Sequence, residues 1–160
     1  MVDMLDFNYL NILVGIDGSK TAAKAVRQAI TIAEHNHARL TIVAIINDRE
    51  ILGVSKAALI GFGNVNQSTI DEVKSRFQRL VHKYELMAKD HGLDVNAFVT
   101  SGDPKNQLAH ELVDEAHVDA IVVGATGANF VDRMTMGSTA AFVIAQAPCD
   151  VFVVHRDSLV

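Results

Sequence analysis

The sequence predicts an α/β fold built on an open five-stranded parallel sheet, with helices on both faces and the strand order 3-2-1-4-5. Three observations predict it. Short apolar runs alternate along the chain with longer stretches of helical period, the pattern of strands buried on both faces and joined by crossover helices. An acid, Asp17, ends the first of these runs, and a glycine pair, Gly124 and Gly127, ends the fourth. Open α/β sheets take their ligands at the carboxyl ends of strands, where the strand order reverses. If the acid and the glycines touch one ligand, strands one and four are neighbours, and 3-2-1-4-5 is selected over the flavodoxin-like 2-1-3-4-5.

Taken in order, residues 1–9 show no clear period and read as a loose lead-in. Residues 11–17, NILVGID, form the first strand. Asp17-Gly18-Ser19 is turn chemistry with Ser19 as a helix cap, and Val26, Ala29, Ile30 and Ala33 then share one helical face. Residues 40–46, LTIVAII, are the second strand, ending at Asn47 and Asp48. Residues 49–67 hold Gly53, Gly61 and Gly63 and no consistent period; a lid, a partner contact and a disordered span all remain open for an insertion of this kind. Ile70, Val73, Phe77, Leu80, Val81, Tyr84 and Ala88 form one stripe of a long helix that Gly92 stops. Residues 94–100 are the third strand, and Asp103 followed by Pro104 caps the next helix, with Leu108, Leu112, Val113 and Ala116 facing inward. Residues 120–123 are the fourth strand; a last helix leads to the fifth, residues 151–154.

Composition bounds the function. A chain of 160 residues, 49% hydrophobic and 21% charged with two prolines, is expected to form one compact unit over residues 1–160 with a sizeable core. No apolar run approaches the ~18 residues of a membrane span, and the acidic start MVDMLDFNYLN is unlike a signal peptide. A cytoplasmic location is expected, consistent with the lone Cys149. The net charge of −5 and the lack of a Lys/Arg stripe argue against nucleic-acid and membrane-surface partners.

The chemistry concentrates in residues 121–149, IVVGATGANFVDRMTMGSTAAFVIAQAPC. Glycines let main-chain N–H groups approach an anion, and the first turn of a helix supplies further donors at the positive end of its dipole. The spacing, Gly124, two residues, Gly127, nine residues, Gly137-Ser138, is neither a Walker loop nor a Gly-x-Gly-x-x-Gly fingerprint. A tight turn and a helix cap in any α/β domain would use similar residues.

This spacing, followed by Ala147-Pro148-Cys149 and an apolar strand, and preceded by Gly15-Ile16-Asp17-Gly18-Ser19 and Gly102-Asp103-Pro104, resembles the universal stress protein family over residues 11–155. The resemblance implies a Rossmann-like sheet and, as in the ATP-binding members, an adenine nucleotide, ATP or AMP, bound as a regulatory switch. It implies that Gly15 and Asp17 hold adenine and ribose and that Ile45, at the position after the second strand, contacts the base. Main-chain groups of Val123, Gly124 and Gly127 would line the ribose and phosphate path, while Gly137, Ser138 and Thr139 hold the phosphates. Two departures bear on this. Asp132 and Arg133 lie in the nine-residue spacer, where Arg133 would favour phosphates and Asp132 would repel them or help them hold magnesium; Asp150 stands where the family commonly has an apolar residue or proline.

Enzymatic motifs are lacking: no Gly-x-Ser-x-Gly elbow, Cys-x-x-Cys or His-Glu-x-x-His occurs. Histidines 35, 37, 82, 91, 110, 117 and 155 form no i, i+4 pair, and nothing near Cys149 in sequence would activate its thiol. Two alternatives stand beside the switch: a slow ATP hydrolase, and a dimeric interaction module independent of nucleotide. Val151, Phe152, Val153 and Val154 would lie at the sheet edge, so a homodimer through antiparallel pairing of this strand is expected, and the resemblance implies the same.

Overall fold

A computed structural model describes residues 8–47, 49, 67–127 and 136–156. Five strands, β1 (Asn11–Ile16), β2 (Arg39–Asn47), β3 (Val95–Gly102), β4 (Ala120–Gly124) and β5 (Asp150–Val154), form one sheet in the order β3-β2-β1-β4-β5. Every pairing is parallel. The predicted class and strand order are those observed.

The helices obey local signals. In α1 (Lys20–Asn36), Ser19 Oγ accepts the Ala22 N–H at 3.0 Å, and His37 ends the helix in the left-handed region at φ 53°. Helix α2 (Gln67–Asp90) ends where Gly92 turns at φ +75° and donates to Lys89 O. The segment after β3 is one helix, α3, made of Pro104–Asn106, a π turn over Gln107–Glu111 and Leu112–Glu115. Asp103 caps it by accepting the Lys105 N–H at 3.0 Å. The π turn has no signature in the sequence. Helix α4 (Ser138–Gln146) precedes β5.

Strand alternation sends side chains to two faces. Ile12, Val14, Ile16, Leu40, Ile42, Ala44, Ala120 and Val122 pack beneath α1 and the second half of α2, where Val81, Tyr84 and Ala88 are buried. Leu13, Val43, Ile121 and Val123 pack against α3 and α4 through Leu108, Leu112, Val113, Ala140 and Val143. Truncating such a side chain to alanine costs about 2–5 kcal/mol, so both helix layers are held by the sheet they cover.

Three expectations need correction. Ile45 lies inside β2, which runs on to Asn47, and not after it. Tyr9 is not loose: it is buried, its N–H donates to Asn36 Oδ1 at 3.1 Å, and its hydroxyl donates to Asp150 Oδ2 at 2.7 Å. Asp119 holds the following residues by accepting the Leu10 and Asn11 N–H groups at 2.7 and 3.0 Å. Third, β5 begins at Asp150, whose carboxylate is the acceptor for that tyrosine. The expectations for residues 50–66, Asp48, Asp132 and Arg133 lie outside the described residues.

Burial, then the hydrogen bond to Asp150 and the negative charges of Asp150 and Asp119, push the Tyr9 hydroxyl up to about 12. The unfolded chain loses this proton near 10, so between those values the folded state binds more protons and stability falls as pH rises. The contribution is fully present below about pH 10 and lost through about pH 12. Tyr9→Phe is therefore expected to flatten the alkaline decline, read as denaturant midpoints of the two proteins from pH 9 upward.

Candidate functional site

The sheet divides at its centre. The β1–β4 ladder pairs Ile12 with Ala120, Leu13 with Ile121 and Val14 with Val122, and ends there. β1 stays with β2 as far as Ile16 and Ala44, and β4 stays with β5 as far as Gly124 and Val154. A crevice thus opens at the carboxyl ends of β1 and β4, where the strand order reverses, the place at which open α/β sheets bind ligands.

Asp17 stands on one lip. Its Oδ1 accepts the Ser19 N–H at 2.9 Å, an Asx turn made possible by Gly18 at φ +85°. Gly127 stands on the other: a methyl group placed on it would lie 2.9 Å from Asp17 Oδ2. Among the described residues the glycines at positive φ are Gly18, Gly92 and Gly102. Gly127 is therefore constrained by space and not by φ; any side chain there would displace the Asp17 carboxylate.

The residues on either side of the nine-residue spacer lie together. Gly137 N–H donates to Ala125 O at 2.6 Å, and a methyl group on Gly137 would lie 3.4 Å from Ala125 O and 3.7 Å from Gly127 N. The two glycines that the sequence separates thus meet. Gly137, extended at φ −75° and ψ 159°, is the N-cap of α4, with no side-chain cap and no acid in the first turn. A glycine cap has no side-chain oxygen to accept the first N–H groups, and a helix N-terminus of this kind offers its donors and the positive end of its dipole to an acceptor. Ser138 is exposed and Thr139 half-buried on this turn. The opposite case is α1, whose end is occupied by Ser19 Oγ.

Other site residues have duties in the packing. A methyl group on Gly15 would lie 3.0 Å from Leu108 Cδ1, and one on Gly124 would lie 2.9 Å from Thr21 Cγ2. Both glycines let a helix approach its strand, with or without a ligand. Val123 is buried against α3 and α4, so only its main chain can meet a ligand, and Ile45 is half-buried against the same cluster. Sequence reasoning missed Thr21 and Thr126, whose hydroxyls share a buried hydrogen bond of 3.2 Å. The one available signal was Thr126 itself, the sole polar side chain between Gly124 and Gly127.

Cys149 is the last residue of the α4–β5 connection and is half-buried against the core. Burial first, then the charges of Asp150 and Asp119, push its thiol up to about 11. It is a packed thiol with no nucleophilic bias at neutral pH. Among the described residues, no three His, Cys, Asp or Glu side chains converge as a metal-holding group, and no helix is long and apolar enough to cross a membrane.

A parallel sheet ordered 3-2-1-4-5, with a glycine loop and a glycine-capped helix at its switch point, defines a Rossmann-like α/β protein. The chain belongs to the universal stress protein family, whose model matches residues 8–155. A Staphylococcus aureus (strain USA300) protein named for this family is 33% identical over 153 residues, covering 94% of this chain and 87% of that relative. Among solved structures, the hypothetical protein MJ0577 superposes with a TM-score of 0.79 at 20% identity over 94% of this chain and 99% of its own, a likeness of fold. A universal stress protein crystallised in complex with cAMP superposes with a TM-score of 0.67 at 26% identity over 92% of this chain and 98% of that one.

The state of Cys149 gives a direct test. Alkylation by iodoacetamide at pH 8 is expected to be at least about tenfold slower in the folded protein than in the urea-unfolded chain, because the thiolate fraction falls as the pKa rises. Mass spectrometry of timed aliquots reads both rates.

Proposed function

We propose that this protein is a cytoplasmic adenine-nucleotide-binding switch that takes ATP or AMP across the crevice between β1 and β4. The carrying observation is the meeting of Gly127 and Gly137 beside the Asp17 carboxylate, next to the glycine-capped end of α4. In this reading Asp17 accepts hydrogen bonds from ribose hydroxyls, Gly15 and Ile45 border the base, and the main chain at Val123, Gly124 and Gly127 follows the sugar and first phosphate. The N–H groups of Gly137, Ser138 and Thr139 hold phosphate oxygens, with Arg133 as a further candidate. The relative bound to cAMP supports an adenine ligand for the family. The donors fit an anion: they are main-chain N–H groups at a helix end, and the glycine that caps it adds no competing acceptor. Magnesium, where present, would be held chiefly through the nucleotide's own phosphates.

Binding without fast chemistry is the expected activity, since the sequence carries none of the catalytic motifs sought and, among the described residues, no three His, Cys, Asp or Glu side chains converge as a metal-holding group. ATP is expected to raise the melting temperature, by about 2.7 kcal/mol of stabilisation at a hundredfold excess over Kd. Gly127→Val, which drives a side chain into the Asp17 carboxylate, is expected to abolish that shift while the free protein still melts cooperatively. Equal ATP affinity in Gly127→Val would remove the site assignment. Phosphate release at an ordinary enzyme rate of roughly 1–1000 per second would favour the hydrolase reading, and an unchanged melting temperature in wild type would favour the interaction module.

A homodimer through β5 accompanies this reading. β5 is the edge strand of the sheet, Phe152 is 36% exposed, and Val151 and Val153 are half-buried along the edge. Tyr9 stands edge-on to the Phe152 ring at 5.7 Å, which stiffens one side of the edge without pairing its main chain. A two-fold axis beside β5 would pair it with its own copy. Light scattering at micromolar concentration is expected to give a dimer mass, shifted toward monomer in Val153→Lys; a monomeric wild type rules the dimer out.

A further inference from the structure

We propose that the Thr21–Thr126 hydroxyl pair is a tie across the crevice that sets the separation of Asp17 from Gly127 and, with it, the affinity for adenine nucleotide. The proposal rests on the nucleotide reading above.

The need for a tie follows from the ladder. Main-chain pairing between β1 and β4 stops at Val14 and Val122, three residues below Asp17 and five below Gly127 in sequence. Above that point no β1–β4 ladder holds the two lips at a fixed distance. Both lips are instead fastened to the first turn of α1. Asp17 is held there by the N–H of Ser19, the α1 cap. The loop carrying Gly127 is held by the hydrogen bond of 3.2 Å between Thr21 Oγ1 and Thr126 Oγ1.

The tie is built into the core. Thr21 and Thr126 are 6% and 9% exposed, the only buried polar side chains near the crevice among the described residues, Thr41 being the third overall. A buried hydroxyl without a partner is costly, so each of these two holds the other in place. Thr21 Cγ2 meanwhile fills the space above Gly124, where a methyl group would lie only 2.9 Å away. One side chain thus contacts β4 through its methyl and the loop beyond β4 through its hydroxyl. Ala125, next to Thr126, also accepts the Gly137 N–H at 2.6 Å and donates to Val154 O at 2.8 Å. The loop that Thr21 holds therefore seats Gly127, Gly137 and the end of α4 together.

The two functions of Thr21 can be separated by substitution. Thr21→Val keeps the shape and loses the hydroxyl; Thr21→Ser keeps the hydroxyl and loses the methyl over Gly124. ATP titration calorimetry and the melting temperature of the free protein are measured for wild type, both variants, Thr126→Val and the double valine variant. Thr21→Val is expected to weaken ATP about fivefold to tenfold, the worth of one buried hydrogen bond, and Thr21→Ser to stay within about twofold of wild type although it melts lower. Thr126→Val is expected to match Thr21→Val and to stand in for it should that variant not fold, and the double variant to lose no more than either single one. A purely structural role reverses the order, with serine the weaker binder. That order, wild-type affinity in Thr21→Val, or additive losses in the double variant overturns the tie and leaves the nucleotide reading intact. A wild type that binds neither ATP nor AMP overturns both.

Discussion

The parting of β1 from β4 after three residue pairs is the constraint on which the rest of the site depends. Parallel strands that stay paired leave no space between their ends. Here each central strand keeps its outer neighbour and loses its inner one, so the sheet itself makes the crevice. Three features among the described residues border that opening: the Asx turn at Asp17, the return of Gly137 onto Ala125, and the glycine-capped first turn of α4.

The glycines of this chain illustrate how one residue type answers different physical demands. Gly18 supplies a left-handed turn. Gly15 and Gly124 let Leu108 and Thr21 approach the sheet. Gly127 keeps clear of a carboxylate, and Gly137 removes the side chain that would otherwise cap a helix. Only the last two stand at the carboxyl edge between β1 and β4. The glycine signature is accordingly a composite of different spatial demands, and a substitution at Gly124 would report on the packing of α1 against β4.

Much of this was legible in the residues. The alternation of apolar runs with helical stripes marked all five strands, and Ser19 and Asp103 announced the helix starts that they cap. The strand order followed from requiring Asp17 and the glycine loop to lie side by side, and in the fold a methyl group placed on Gly127 would lie 2.9 Å from Asp17 Oδ2. Tyr9 escaped detection because its partners, Asn36 and Asp150, lie 27 and 141 residues away. Strand ends slipped by a residue or two because the ladder, and not propensity, decides where pairing stops.

By itself, the sequence determined the class of fold, the two faces of the core and the residue types available at the crevice, because hydrophobic period and capping chemistry act within a few residues along the chain. Only the tertiary structure decided which of those residues meet. The return of Gly137 onto Ala125, the π turn that rests Leu108 on Gly15, and the hydroxyl pair joining Thr21 to Thr126 across 105 residues all depend on packing between elements. Local pattern carries no record of such contacts, since each half of the pair is an ordinary residue until the fold brings the other half within hydrogen-bonding reach.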